Sequence, residues 1–122
     1  AELYKAADAY ISPYLGEGFN LPVLEALACG LPVICTAGGS TDDFTTQECA
    51  MYINSKLQIA GNEDNPDMIY LKPDQQHVGT LMEEIISNSD WRDSARHAGP
   101  EFVRSRYTWD HIGDRLESVL LG

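Results

Sequence analysis

A chain of 122 residues, 43% of them hydrophobic, suffices for one domain with a buried core. Nineteen acids against eight bases leave a net charge of −11, which argues against a nucleic-acid partner and against docking on an anionic membrane surface. No stretch reaches the ~20 apolar residues of a transmembrane helix, and Cys29, Cys35 and Cys49 lack C-x-x-C spacing and read as small buried residues of a reducing compartment.

In chain order, residues 2–7 read as the last turns of a helix, so the expectation is a piece of a longer protein. Residues 9–13, with Tyr10 and Ile11, read as a short buried strand. A helix over residues 22–29 follows. Pro22 suits its first position, Asn20 or Leu21 its cap, and Gly30 its end. Val23, Leu24, Leu27 and Ala28 form its apolar stripe. Residues 32–36, PVICT, are a second strand, bounded by Gly30 and Gly38-Gly39. Strand, helix and strand make a βαβ unit, so the fold class is α/β, a Rossmann-like mostly parallel sheet with helices on both faces.

Residues 49–54 allow a third strand or a helix end. Residues 61–67, GNEDNPD, are a polar, turn-rich loop, and residues 68–72 a strand closed by Pro73. Residues 78–87 carry Val78, Leu81, Met82, Ile85 and Ile86 at helical spacing. A helix over residues 90–106 is expected to break or kink near Gly99-Pro100. Thr108 caps a last helix with Ile112, Leu116, Val119 and Leu120 on one face. That face is either core or a surface for chain lying outside this piece. Trp109 beside Tyr107 reads as core packing at the helix start, and His77, His97 and His111 as solvated.

The chemistry concentrates in residues 17–30, EGFNLPVLEALACG. Glu17 stands on the turn into the helix, and Glu25 reads as a first-turn residue off the apolar stripe. The start of a helix offers backbone N–H groups with no intrahelical partner, a ready site for an anion. A carboxylate only accepts, and its two oxygens can take a vicinal diol. A nucleotide-sugar carries such diols on both sides of its diphosphate, so one acid per diol with a helix start between them is a sensible receptor. Gly38-Gly39 follows a strand, at the edge where such sheets bind ligands, and reads equally as a plain turn. Asp42-Asp43 are adjacent, so their carboxylates point apart, and no metal is assigned there.

The run LYKAADAYISPYLGEGFNLPVLEALACGLPVICT (residues 3–36) resembles the C-terminal domain of retaining glycosyltransferases of the GT-B fold, family 4 type. It holds that family's E-x7-E pattern as Glu17 and Glu25; GGSTDD and YTWD further on are weaker likenesses. The resemblance implies the donor-binding part of an enzyme that moves a sugar from a nucleotide diphosphate-sugar to an acceptor with retention. Glu17, the one catalytic candidate, would bind hydroxyls of the transferred sugar, as a positioning group and not a nucleophile. Glu25 would bind the ribose. Gly18, Phe19, Asn20 and Leu21 would supply backbone N–H groups, with Gly18 allowing close approach and a positive φ.

It further implies that residues 1–122 are a single partial domain, the C-terminal half of the nucleotide-sugar-binding domain. The partners are then a nucleotide diphosphate-sugar donor, an unspecified acceptor and the N-terminal domain of the same protein, with no nucleic acid, no transmembrane segment, no cofactor and no metal. Diphosphate-binding cations would come from chain outside this piece, since Lys5 alone among the bases lies near the motif in sequence. The piece is expected to be inactive alone, and cytoplasmic, with any membrane association left to the absent part. The alternative is a non-catalytic nucleotide-sugar-binding or scaffolding module on the same fold.

Overall fold

A computed structural model describes residues 2–61 and 68–122. The short helix α1 (Glu2–Lys5) leads into strand β1 (Tyr10–Ser12), helix α2 (Leu21–Ala28) and strand β2 (Val33–Thr36). A 3-10 turn (Ser40–Asp43) precedes strand β3 (Ala50–Ile53), so residues 49–54 resolve to a strand. The strands β4 (Ser55–Ile59) and β5 (Ile69–Pro73) follow, then helices α3 (Gln75–Ser87), α4 (Ser89–Arg106) and α5 (Trp109–Leu121). The expected loop at residues 61–67 falls, beyond Gly61, outside the described residues.

β1, β2 and β3 form a parallel sheet in that order, Tyr10 opposite Val33 and Val33 opposite Ala50. Side chains alternate across a strand, and β2 shows both sets buried. Val33 and Cys35 pack with Val23, Ala26 and Leu27 of α2 and Val103 of α4. Ile34 packs on the other face with Leu81 and Ile85 of α3 and Met51 of β3. Helices on both faces explain why β2 is buried along its whole length.

The buried side of α2 differs from the sequence reading, while its end at Gly30 agrees with it. Its buried set is Val23, Ala26 and Leu27, with Ala28 exposed, because α4 crosses that side. Its C-terminus is a Schellman motif: Leu31 N–H donates to Ala26 O (2.9 Å) and Gly30 N–H to Leu27 O (3.0 Å), with Gly30 at φ 80. Gly99 lets α4 approach; a Cβ there would stand 3.0 Å from Leu27 O.

α4 runs from Ser89 to Arg106 with Pro100 inside it, so the expected interruption is absent. Proline frees the carbonyl four residues back. That carbonyl, Arg96 O, faces Gly30, where a Cβ would come within 3.1 Å. Asp74, Asn88 and Thr108 cap α3, α4 and α5 through side-chain oxygens.

α5 buries none of its residues. Trp109 is 89% exposed, which corrects its reading as core, and Tyr107 packs on Phe44 and Phe102 instead. His97 and His111 are exposed, whereas His77 is half-buried and its Nδ1 accepts from Asn54 N–H at 2.9 Å. β5 pairs with β4 in a separate antiparallel ribbon.

Candidate functional site

Parallel strands share a direction, so the loops after β1 and β2 leave the same edge of the sheet. A buried network fastens them. Tyr14 Oη donates to Thr36 O at 3.1 Å and lies 2.8 Å from Thr41 Oγ1. Thr36 Oγ1 donates back to Tyr14 O at 2.9 Å. Gly39 sits against the ring, where a Cβ would be 2.5 Å from Tyr14 Oη. Gly38, at φ 86, donates its N–H to Asp42 Oδ2 at 2.9 Å. Asp42 therefore closes the turn that follows β2, which favours the plain-turn reading of Gly38-Gly39.

The loop from β1 into α2 carries the remaining residues. Glu17 is exposed, and its carboxylate has no partner among the described residues. Gly18 has no heavy atom within 4 Å of a Cβ position. Its φ is not positive, a correction to the sequence reading; the non-glycine positive φ belongs to Asn20, at 70. Asparagine tolerates that region better than most residues. Asn20 is buried, and its Nδ2 donates to Ser12 Oγ at 3.0 Å, so its side chain pins the loop to β1 and makes no cap bond. Phe19 lies on Phe44, ring centroids 4.7 Å apart and planes 19° apart. Leu21 is exposed. Among the described residues none accepts from the backbone N–H of Gly18, Phe19, Asn20 or Leu21.

Glu25 lies just beyond the first turn of α2, because the helix starts at Leu21, not Pro22. The macrodipole falls off within that turn, so its help to Glu25 is smaller than a first-turn position would give. Tyr4 Oη donates to Glu25 Oε2 at 2.9 Å. A carboxylate has several lone-pair directions, so Oε1 remains open. Glu17 and Glu25 share no partner among the described residues. Sequence reasoning missed Tyr4, Tyr14 and Phe44. Tyr4 lies 21 residues from Glu25, and no local pattern signals a contact at that range.

Burial, then the hydrogen bond to Glu25, push the Tyr4 phenol up to about 12. A raised phenol pKa favours the neutral form in the fold. The stabilisation is present below the unfolded value of about 10 and is lost as pH rises towards 12. A tyrosine absorbance titration is expected to show a late step near pH 12 that Tyr4→Phe removes. An unchanged late step would sink the assignment. Burial likewise pushes the Cys35 thiol up to about 11, which leaves it inert at neutral pH. Among the described residues no three His, Cys, Asp or Glu side chains cluster as metal ligands, and no helix is long and apolar enough to cross a membrane.

Residues 1–60 match the family model described as "Glycosyl transferases group 1". An uncharacterized glycosyltransferase of Methanocaldococcus jannaschii is 27% identical over 119 residues, 97% of this chain and 26% of that protein. The O-antigen chain mannosyltransferase B of Escherichia coli is 53% identical over 34 residues, 28% of this chain and 9% of that protein. Sucrose-phosphate synthase from Thermosynechococcus elongatus superposes with a TM-score of 0.74 at 23% identity, over 97% of this chain and 26% of that one. The fold is therefore the mixed α/β, parallel-sheet arrangement of a GT-B glycosyltransferase. The chain spans about a quarter to a third of the length of the relatives it matches over nearly its whole length.

Proposed function

We propose that this chain is the donor-binding part of a glycosyltransferase that moves a sugar from a nucleotide diphosphate-sugar to an acceptor with retention. One observation carries the reading. At the carboxyl edge of a parallel sheet, an exposed Glu17 precedes a loop whose Gly18–Leu21 N–H groups have no acceptor among the described residues. Asn20 and the Phe19–Phe44 stack hold that loop in place. In this reading Glu17 takes the hydroxyls of the transferred sugar, Glu25 the ribose, and the loop amides the sugar or diphosphate. Holding the donor in one geometry removes orientational freedom that the uncatalysed reaction must lose. The developing charge of a diphosphate leaving group needs cations as well. Those, the acceptor site and the second cleft wall belong to the N-terminal domain and the preceding part of the same protein. The chain alone holds half a donor site and turns over no donor.

Gly18→Val in the full-length protein tests the reading. The backbone there accepts a β-branched residue and the space around it is open. Stability should stay within about 0.5 kcal/mol, as for an ordinary surface change. Donor affinity should fall about tenfold or more, because the side chain fills the space through which the backbone meets the donor. Calorimetric binding at wild-type strength would defeat the proposal.

A further inference from the structure

We propose that the β4–β5 ribbon carries a second anion site, a cradle for the phosphoryl group of a small ligand, built on Lys56 and Lys72. The chain has three lysines, and two of them stand directly opposite each other in this ribbon. Directly opposed residues of an antiparallel pair point to the same face, and like charges there destabilise the pair. The net charge of −11 offsets this repulsion only at long range, and the two ammonium groups still repel each other locally. The pair becomes favourable when an anion sits between the two ammonium groups.

The surroundings fit that occupant. Lys56 and Lys72 line a cavity of about 520 Å³ whose other polar walls include Asn54, Ser55, Gln58 and Gln76. Amide and hydroxyl groups there can donate to phosphoryl oxygens. Asp74 also lines it, but its Oδ1 already accepts from the N–H groups of Gln76 and His77 as the cap of α3. Among the described residues neither lysine makes an ion pair. A second cavity, of about 640 Å³, shares Lys72 and extends to Pro13 and Leu15. Leu71 N–H donates to Leu15 O at 2.7 Å, which ties the ribbon to the β1 loop. The cradle is separate from the Gly18–Leu21 loop and does not depend on its assignment.

Thermal melts of the full-length protein with inorganic phosphate and with pyrophosphate, each against chloride at equal ionic strength, test the site. Wild type is expected to melt higher with either anion, and more so with pyrophosphate if the cradle spans two phosphoryl groups. Lys56→Gln and Lys72→Gln should melt no lower than wild type without ligand, since each relieves the like-charge pair. Each should bind pyrophosphate about tenfold or more weakly. Lys72→Arg should keep the response, and Gly18→Val should keep the part of it that depends on the two lysines. The proposal is overturned if wild type shows no rise over chloride, or if the rise survives undiminished in both glutamine variants. It is equally overturned if Gly18→Val alone abolishes the rise, because the anion then sits on the α2 loop.

Discussion

Phe44→Ala costs about 3–5 kcal/mol of stability and loosens the loop that carries the candidate site. Phe44 is fully buried and heads the largest buried side chains. It stacks on Phe19 at 4.7 Å and meets Tyr107 edge-on at 6.3 Å. Truncation therefore removes core volume and the platform under Phe19 at once. Urea denaturation of the full-length protein reads the first effect, and nucleotide-sugar calorimetry reads the second. A control is needed because any destabilised protein can bind poorly. Ile85→Ala supplies it: Ile85 is buried in α3 on the opposite face of the sheet, away from the loop. Both variants should lose stability, and Phe44→Ala alone should lose donor affinity beyond what its stability explains. Equal affinity losses would mean that the Phe19–Phe44 stack does not position the loop.

Glu17 and Glu25 divide labour in the second expected result. Glu25→Ala weakens binding of free nucleoside diphosphate and of nucleotide-sugar alike, because both carry ribose. Glu17→Ala spares the nucleoside diphosphate and harms only the intact donor and its turnover. Hydrogen bonds to a charged group contribute about 1.5–3 kcal/mol each, so either loss is about tenfold or more. Tyr4 adds a diagnostic. Its phenol holds Glu25 Oε2, so Tyr4→Phe should weaken the nucleoside diphosphate by less than Glu25→Ala does, and in the same ligand pattern. Calorimetry with both ligands on the three variants decides the matter. If Glu17→Ala and Glu25→Ala weaken the two ligands in equal proportion, or neither weakens either, one carboxylate per diol is wrong.

Much of the architecture is written in local signals. Tyr10-Ile11, the PVICT run and the helix between them form a βαβ unit because pattern and punctuation agree. Pro22 suits the first turn of a helix and Gly30 can adopt the left-handed φ that ends one. Thr108 likewise marks a helix start through its side-chain oxygen. The E-x7-E string places Glu17 on the loop into α2, whereas Glu25, read as a first-turn residue, lies beyond that turn because the helix starts one residue earlier.

The rest was decided by contacts between residues distant in sequence. Which side of α2 is buried depended on where α4 packs, and Gly99 sets that approach, so Ala26 is inside and Ala28 is not. Pro100 did not break α4, and the carbonyl it frees, Arg96 O, lies beside Gly30, 66 residues away in sequence but adjacent in space.

 The freed Arg96 carbonyl thus lies over a residue that has no side chain to obstruct it. Glu25 proved to be held by Tyr4, and Phe19 by Phe44, through pairings that no spacing rule encodes. The opposed Lys56 and Lys72 became visible only once β4 paired with β5, since register is a property of two strands together. Local chemistry chose the elements, because capping and periodicity act within a few residues. Close packing chose their partners, because it depends on which surfaces meet.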